Sequence, residues 1–370
     1  MSDGRSAGAR RSHGDPSPGS LLAAAALLML GMRAEKKYRQ LEKLGETAVP
    51  ASLPALSIIV PARNEATNLP HLLNSLERLD YPGPVECIVV DDASQDETAA
   101  IARAHGATVL SLQGPPPGWG GKTFACHQGA LVAGGQWLLF TDADTKHAPD
   151  GPALAVAFAQ QRGLDGLSVF MKHETSGALD RVVLMAALAG YFAGISTPQG
   201  VLNGQYVLLR RDVYEKSGGF SAVPLEVLED LALGHHLWRF GFRVPVLRSD
   251  RLGVVHMYRT LAQLWGGMVR LTIASLRWSG LSGLYSVLLT LLLALPAQQA
   301  AQLPRHRQPI ATVLTWMSAA VALLPWARRF GGRRWALLAP IGAVLVQFAA
   351  IWGLARRLIR AGVFWRGRLL

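Results

Sequence analysis

Acidic residues run out two thirds of the way along the chain. After Asp250 neither aspartate nor glutamate occurs again, although the sequence continues to residue 370 and stays rich in arginine. Cysteine is scarce throughout. Cys87 and Cys126 are the only two, which excludes a disulfide framework and a cysteine-based zinc site and is consistent with a reducing compartment. Cys87 sits in an apolar, strand-like run, where an inert buried thiol is expected. Charged residues make up 17% of the chain and hydrophobic ones 50%. The mean hydropathy of +0.22 is high for a purely soluble protein.

That excess is local. Residues 281–297, 310–327 and 335–355 are three uncharged apolar runs, each near the roughly 17–25 residues that cross a bilayer as a helix. The net charge is +12 and the pI about 10.2, a balance that suits nucleic acid or anionic lipid. Distribution separates the two. Arg328-Arg329, Arg333-Arg334 and Arg356-Arg357 cluster at the ends of the apolar runs, as in a protein seated among lipid headgroups. No nucleic-acid module is present. A fourth run, 21–32, follows Arg10-Arg11 in the manner of a signal peptide but lacks a small-residue cleavage site. The basic segment from Arg33 to Arg39 follows instead. The reading is a polar tail over 1–19 and an uncleaved membrane anchor over 20–34. The anchor spans only if tilted or extended into 17–19, and otherwise lies at the interface.

Between about 55 and 260 the composition is that of a soluble α/β domain. Strand-like runs fall at 56–60, 85–90, 107–112 and 136–141, with helical spacing between them at Leu69, Leu72, Leu73, Leu76 and Leu79, and again over 122–133. Ser94-Gln-Asp-Glu97 reads as a capping box opening a helix to about His105. Alternating strands and helices predict a mostly parallel sheet covered by helices, with ligands outside the carboxyl ends of its strands. The four strands are followed by Pro61-Ala-Arg-Asn-Glu65, by Asp91-Asp92, by a Gly/Pro turn and by Asp142-Ala-Asp144. Each alone is an ordinary turn or cap. Four on one sheet edge suggest a site.

The Gly/Pro turn, Pro116-Pro-Gly-Trp-Gly-Gly-Lys-Thr123, ends like a phosphate-binding P-loop. However, Pro116 stands where the first glycine of that motif belongs, and prolines remove amides that a phosphate cradle uses. Asp142 and Asp144 lie on the same side of an extended segment and suit a hard divalent cation, Mg2+ or Mn2+, shared with substrate phosphates. Asp92 suits a nucleobase N–H or a ribose hydroxyl. Lys122 suits a diphosphate, as a point charge.

These motifs in this order resemble the family 2 glycosyltransferases of GT-A fold: Ser57-Ile-Ile-Val-Pro-Ala-Arg-Asn-Glu65, Val89-Val-Asp-Asp-Ala-Ser-Gln-Asp-Glu-Thr98 and Phe140-Thr-Asp-Ala-Asp144. The resemblance covers roughly 55–280. The Pro116–Ala125 stretch, with Met257-Tyr-Arg-Thr260 and Leu264-Trp-Gly-Gly267, is similar to bacterial membrane glycosyltransferases associated with hopanoid and carotenoid pathways. The resemblance implies an α/β GT-A (nucleotide-diphospho-sugar transferase) domain over 53–260. It implies a nucleotide-sugar donor, with UDP expected, held by Pro61, Asn64, Glu65, Asp92, Lys122 and Asp142. It implies a divalent metal on Asp144 and Asp142. Glu229-Asp230 matches the family's acceptor-side motif, with Asp230 as general base, and Asn203, Tyr258 and Arg259 are further acceptor-side candidates. His256 is a candidate third metal ligand, with a packed strand-end histidine as the other reading.

The Q-x-x-R-W motif of processive members is absent: neither Gln263 nor Arg277-Trp278 fits it. That argues against a polymer synthase. An inverting transferase to a lipid such as a hopanoid or carotenoid is expected, with a polyprenyl-phosphate sugar synthase and a catalytically decayed membrane scaffold as alternatives. Nucleotide sugars place the catalytic domain on the cytoplasmic side of a multi-pass protein. Residues 261–280, with Leu261, Leu264, Trp265, Met268 and Leu271 on one face, read either as an interfacial helix or as one packed on the domain. Three membrane segments over 281–355 would then turn outward near Arg305–Arg307. They would leave the basic tail 356–370 outside, against the positive-inside tendency. Either the last run does not span or the tail is an exception.

Overall fold

The computed structural model describes residues 17–195, 200–278, 280–306, 309–359, 364–365 and 368–369. The polar tail to residue 16, with Arg10-Arg11, lies outside these residues. So do the side chains of Arg277, of Arg305 to Arg307 and of the basic tail from Arg357 on, apart from those of Leu358 and Ile359. The chain divides into two compact units. One comprises residues 37–176, 195–280 and 352–370, and the other residues 1–36, 177–194 and 281–351.

The first unit is built on a sheet. Its strands are β1 (Glu42–Lys43), β2 (Leu56–Ala62), β3 (Val85–Asp92), β4 (Thr108–Leu112), β5 (Trp137–Thr141), β6 (Thr145–His147), β7 (Gly166–His173), β8 (Tyr206–Arg210) and β9 (Val246–Val255). The helices in chain order are α1 (Pro18–Gln40), α2 (Leu69–Leu76), α3 (Thr98–Ala104), α4 (Gly121–Val132), α5 (Gly151–Gln161) and α6 (Ala178–Gly194). They continue with α7 (Arg211–Ser217), α8 (Glu229–Arg239), α9 (Leu261–Trp278), α10 (Gly283–His306), α11 (Pro309–Arg329) and α12 (Ala339–Leu358).

The sheet order is β1-β9-β7-β8-β5-β2-β3-β4, with β6 paired to β9. The four strands expected from the sequence pair in parallel. The strand β8 runs antiparallel to both β5 and β7. The sheet is thus mostly parallel, as expected. Ile58, Ile59, Val60, Val89 and Val90 expose no surface, because a parallel sheet is covered on both faces and its central strands are apolar on both sides. Alternation divides them between two cores. Ile58 and Val60 join Leu69, Leu72 and Phe158, while Ile59 joins Cys126, Leu209 and Leu233. The register pairs Ala62 with Asp91 and Asp92 with Leu112. The carboxyl ends of β2, β3 and β4 therefore meet at one edge.

Three features differ from the sequence expectation. The first is the supposed capping box. The helix α3 begins only at Thr98, and its N-cap residue Glu97 makes no side-chain cap. Ser94 and Asp96 instead lock the β2 and β3 loops together. Ser94 Oγ accepts from the Asn64 amide at 2.9 Å, Asp96 Oδ2 accepts from the Ala66 amide at 3.1 Å, and the Gln95 amide donates to Asn64 Oδ1 at 2.8 Å. Local polar side chains satisfy whichever orphan amides the tertiary fold brings near them.

The second is α6. Residues 177–194 fall within the span 53–260 read as one domain, yet they belong to the helical unit. Gly190 and Gly194 explain the fit. A Cβ on Gly190 would lie 3.2 Å from Thr290 Oγ1, and one on Gly194 would lie 2.8 Å from Ser286 Cβ. Two small residues four apart let α6 and α10 approach closely, as between membrane helices.

The third is α9, for which the sequence left two readings open; it groups with the sheet unit, as a helix packed on the domain would. Its apolar stripe is split: Leu264 and Met268 are buried, while Leu261 and Trp265 are exposed. In the helical unit three segments are long and apolar enough to cross a membrane: Gly283–Gln302, Pro309–Arg329 and Arg333–Arg356. Glu35 and Arg329 pair there at 2.7 and 2.9 Å, a two-pronged contact that satisfies both charges.

The helix α4 carries Lys122 against β2 and β3, and Gly129 permits it. A Cβ at Gly129 would come within 2.5 Å of Ile59 Cγ2 and 2.9 Å of Val90 Cγ2. Gly129→Leu is expected to cost about 1–3 kcal/mol through overpacking. A lowered thermal midpoint in detergent checks it, and an unchanged midpoint would refute this packing.

Candidate active site

The Gly/Pro turn is not a P-loop. It is clasped to the segment that precedes α8: the Gly120 amide and the Thr123 hydroxyl both donate to the Pro224 carbonyl, at 2.7 and 2.6 Å. Thr123 is buried, so the hydroxyl that a P-loop offers to a metal serves the scaffold here. Trp119 stacks on His127 at 5.1 Å between ring centres and ties the turn to the first part of α4.

This clasp sets Lys122 between two elements distant in sequence. Its Nζ lies 2.7 Å from Asp142 Oδ1, just past β5, and 2.6 Å from Glu229 Oε1, at the start of α8. Both are charge-assisted contacts of full strength. The Lys122 side chain is 33% exposed and that of Glu229 only 9%. Burial works to lower the Lys122 pKa, but Asp142 and Glu229 outweigh it and hold the ammonium well above the ordinary lysine range.

Asp230 is the neighbour of that pair. Its Oδ2 accepts from the Gly204 amide at 2.8 Å and its Oδ1 from the Leu231 amide at 2.9 Å. Burial, together with the Glu229 charge, pushes its pKa up to about 6, against the pull of Lys122 and the two amides. A carboxylate titrating so near neutrality suits a general base. Pro61, Lys122, Asp142, Glu229 and Asp230 line one pocket with Gly204, Cys126, Phe140, Thr141, Val207 and Phe220. Of the sequence candidates, these five come together.

The other candidates stand elsewhere. Asp92, at the end of β3, is buried, and its carbonyl accepts from Arg63 Nη1 at 2.5 Å. Asn64 holds the lock described above with a left-handed φ of 52°. Glu65 Oε2 accepts from Asn68 Nδ2 at 2.8 Å, and Asn68 Oδ1 in turn accepts from Arg259 Nε. The chain Glu65–Asn68–Arg259 thus joins the β2 loop to the segment before α9. Asn203 Nδ2 donates to the Val169 carbonyl of β7 at 3.0 Å, so its amide braces the sheet, while its neighbour Gly204 faces the pocket. Tyr258 is buried, and its hydroxyl pKa is pushed up to about 12 by burial, with Arg270 opposing and Asp144 adding. The Asp144 carbonyl accepts from the His256 amide at 2.9 Å, which sets Asp144 beside the segment that carries Tyr258.

His256 Nε2 lies 2.7 Å from Ser176 Oγ. Among the described residues no group of three or more His, Cys, Asp or Glu is close enough to hold a metal. Asp142 and Asp144, the pair expected from the sequence, would offer a cation two carboxylates. That oxygen set fits Mg2+ or Mn2+ completed by phosphate and water. Burial pushes the Cys87 thiol up to about 12 and Cys126 higher, so both are unreactive.

Gly204 was legible only as a turn before β8, and Phe140 and Phe220 only as apolar residues. The shared pocket follows from β8 running antiparallel beside β5.

A parallel sheet whose strand ends deliver Pro61, Asp92 and Asp142-Ala-Asp144, with an acidic pair on a facing helix, defines a GT-A nucleotide-sugar transferase fold. Comparisons agree. Residues 57–216 match Glycosyl transferase family 2. It is 31% identical over 229 residues to a 4,4'-diaponeurosporenoate glycosyltransferase of Staphylococcus haemolyticus, covering 57% of this chain and 60% of that one. It is 32% identical over 215 residues to one from Staphylococcus aureus, covering 55% and 57%. The chain thus spans less than two thirds of these relatives. A mannosyltransferase from Pyrobaculum calidifontis, solved with GDP-Man and Mn2+, shares the fold at a TM-score of 0.57 and 20% identity over 90% of this chain and 97% of that one.

A Cβ on Gly204 would lie 3.2 Å from Asp230 Oδ2, Glu229 Oε1 and Lys122 Nζ alike. Gly204→Val is expected to lower turnover at least about tenfold, the scale of a misplaced catalytic group. Its thermal midpoint should stay within a few degrees of the parent. Full turnover would remove Asp230 and Lys122 from the reaction.

Proposed function

We propose that the chain is a membrane-anchored, inverting glycosyltransferase that moves a sugar from a nucleoside diphosphate, with a UDP-hexose expected, to a membrane lipid. The observation that carries this reading is the pocket at the carboxyl edge of the sheet, where Lys122, Asp142, Glu229 and Asp230 converge. The relatives named for diaponeurosporenoate make isoprenoid lipids, of carotenoid or hopanoid kind, the first acceptors to try. The three apolar helices support a multi-pass protein, and a nucleotide-sugar donor supports a cytoplasmic face for the sheet unit.

The residues take the following roles. Asp92 meets the nucleobase or ribose, and Pro61, Asn64 and Glu65 shape that side. Asp142 and Asp144 hold the divalent metal, which would neutralise the diphosphate leaving group when bound. Lys122, shared between Asp142 and Glu229, offers a positive charge where the diphosphate departs. Asp230 takes the acceptor proton as the acceptor oxygen attacks the anomeric carbon from the side opposite the nucleotide. Tyr258 and Arg259 close the site from the segment before α9.

Membranes holding the chain, given radiolabelled nucleotide sugars, divalent metal and total lipid extract, should place label in the lipid phase from one donor. Asp144→Ala and Asp230→Asn should abolish it. For the active pair kcat/KM should fall as the pH drops through about 6, because Asp230 protonates there and a protonated base accepts nothing. Label confined to water for every donor, with ATP consumed in a Lys122-dependent manner, would overturn the reading.

A further inference from the structure

We propose that His147 is a positioning residue for Asp142 and Asp144: through the hydroxyls of Thr141 and Thr145 it sets the turn that carries both carboxylates. This rests on the reading of that pair as the seat of a divalent metal, and extends it to a side chain outside the pocket lining.

The turn closes on Thr145. Its amide and its hydroxyl both donate to the Asp142 carbonyl, at 3.2 and 2.8 Å, and the His256 amide holds the Asp144 carbonyl at 2.9 Å. Thr141, the last residue of β5, donates its hydroxyl to the Gln205 carbonyl at 3.0 Å, which ties the strand to the loop carrying Gly204. His147 ends β6 and is buried, as are Thr141 and Thr145. Its amide donates to Ser75 Oγ at 3.1 Å, and that hydroxyl donates to the Leu72 carbonyl at 2.6 Å. The His147 ring lies beside that of Tyr206, 5.5 Å between centres. The imidazole is therefore held from α2 and from β8.

Hydrogen counting assigns its task. A threonine hydroxyl has one proton to donate, and both are committed to carbonyls. Yet the two hydroxyl oxygens lie 3.0 Å apart, with no proton left to put between them. His147 Nε2 faces both, 3.1 Å from Thr141 Oγ1 and 3.5 Å from Thr145 Oγ1. A proton on Nε2 meets lone pairs of both oxygens. Burial keeps the ring neutral, its pKa pushed down to about 4, so Nδ1 is then bare. Among the described residues Nδ1 has no hydrogen-bond partner. The assigned tautomer leaves only a lone pair unmet there, whereas the other would leave an N–H unmet, and buried N–H groups are orphaned more rarely than acceptors. Without the Nε2 proton the two oxygens repel. One threonine must then release its carbonyl, which moves either the Asp142 turn or the Gly204 loop. Partners standing behind metal-binding side chains in this way carry roughly 10–100-fold in metal affinity.

The test uses the full chain purified in detergent and follows its thermal unfolding. Mn2+ is titrated at saturating UDP and, separately, GDP, and the Mn2+ concentration that gives half of the rise in midpoint is recorded. His147→Leu removes the N–H, and His147→Gln returns an amide donor near the Nε2 position. The inference expects the half-point to rise at least about tenfold in His147→Leu and to return to within about threefold of the parent in His147→Gln. The metal-free midpoint of each variant reports folding separately. Should His147→Leu fail to fold, Thr145→Val against Thr145→Ser makes the same comparison one link nearer Asp142, with the same rise and recovery expected. A half-point unchanged without the N–H or the hydroxyl, or raised equally with and without the restored group, would overturn the inference and leave the transferase reading in place. No Mn2+-dependent rise in the parent with either nucleotide would bring down both.

Discussion

The site depends on one ammonium group shared by two carboxylates. Lys122 reaches Asp142 on one side and Glu229 on the other, and in the proposed function these belong to different halves of the reaction. Asp142 follows β5, on the side proposed for the donor. Glu229 opens α8 beside Asp230, the proposed base. Without a cation between them, three carboxylates would crowd a partly desolvated pocket, where like charges are costly. With it, Asp230 keeps a pKa near neutrality instead of rising further, since Lys122 is a force holding it down.

The rest of the sheet unit keeps that lysine in place. The triple-proline approach and the glycines let the turn close on Pro224. Gly129 lets α4 lie flat on β2 and β3, and Gly204 leaves room for the three charged groups at once. The loops after β2 and β3 are locked by Asn64, Ser94 and Asp96. A rigid edge of this kind holds charges in place before substrate arrives, which is how electrostatic preorganisation works.

The sheet was largely legible in the sequence, because parallel strands are buried on both faces and show as continuous apolar runs such as Ile58-Ile-Val60. The carboxylates at the sheet edge, Asp92, Asp142 and Asp144, were legible too, since they follow those runs directly. What escaped notice is non-local. The Lys122–Glu229 contact joins residues far apart in the chain, and no periodicity encodes it. The Ser94–Glu97 pattern satisfied a local helix rule, yet its side chains were taken by amides from the β2 loop. The helix α6, apolar but interrupted by Asp180 and Arg181, looked like part of the soluble domain; only the packing of Gly190 and Gly194 on α10 assigns it to the helical unit. The two readings of α9 stand on a stripe that is half buried and half exposed.

The central claim is that Lys122 and Glu229 act as one unit. A double-mutant cycle on thermal or denaturant unfolding, with Lys122→Met, Glu229→Gln and the double variant, measures it most directly. The account predicts single-variant losses that do not add, with a coupling of roughly 0.5–3 kcal/mol, toward the lower end because the Lys122 side chain is 33% exposed. Strict additivity of the two substitutions would contradict it.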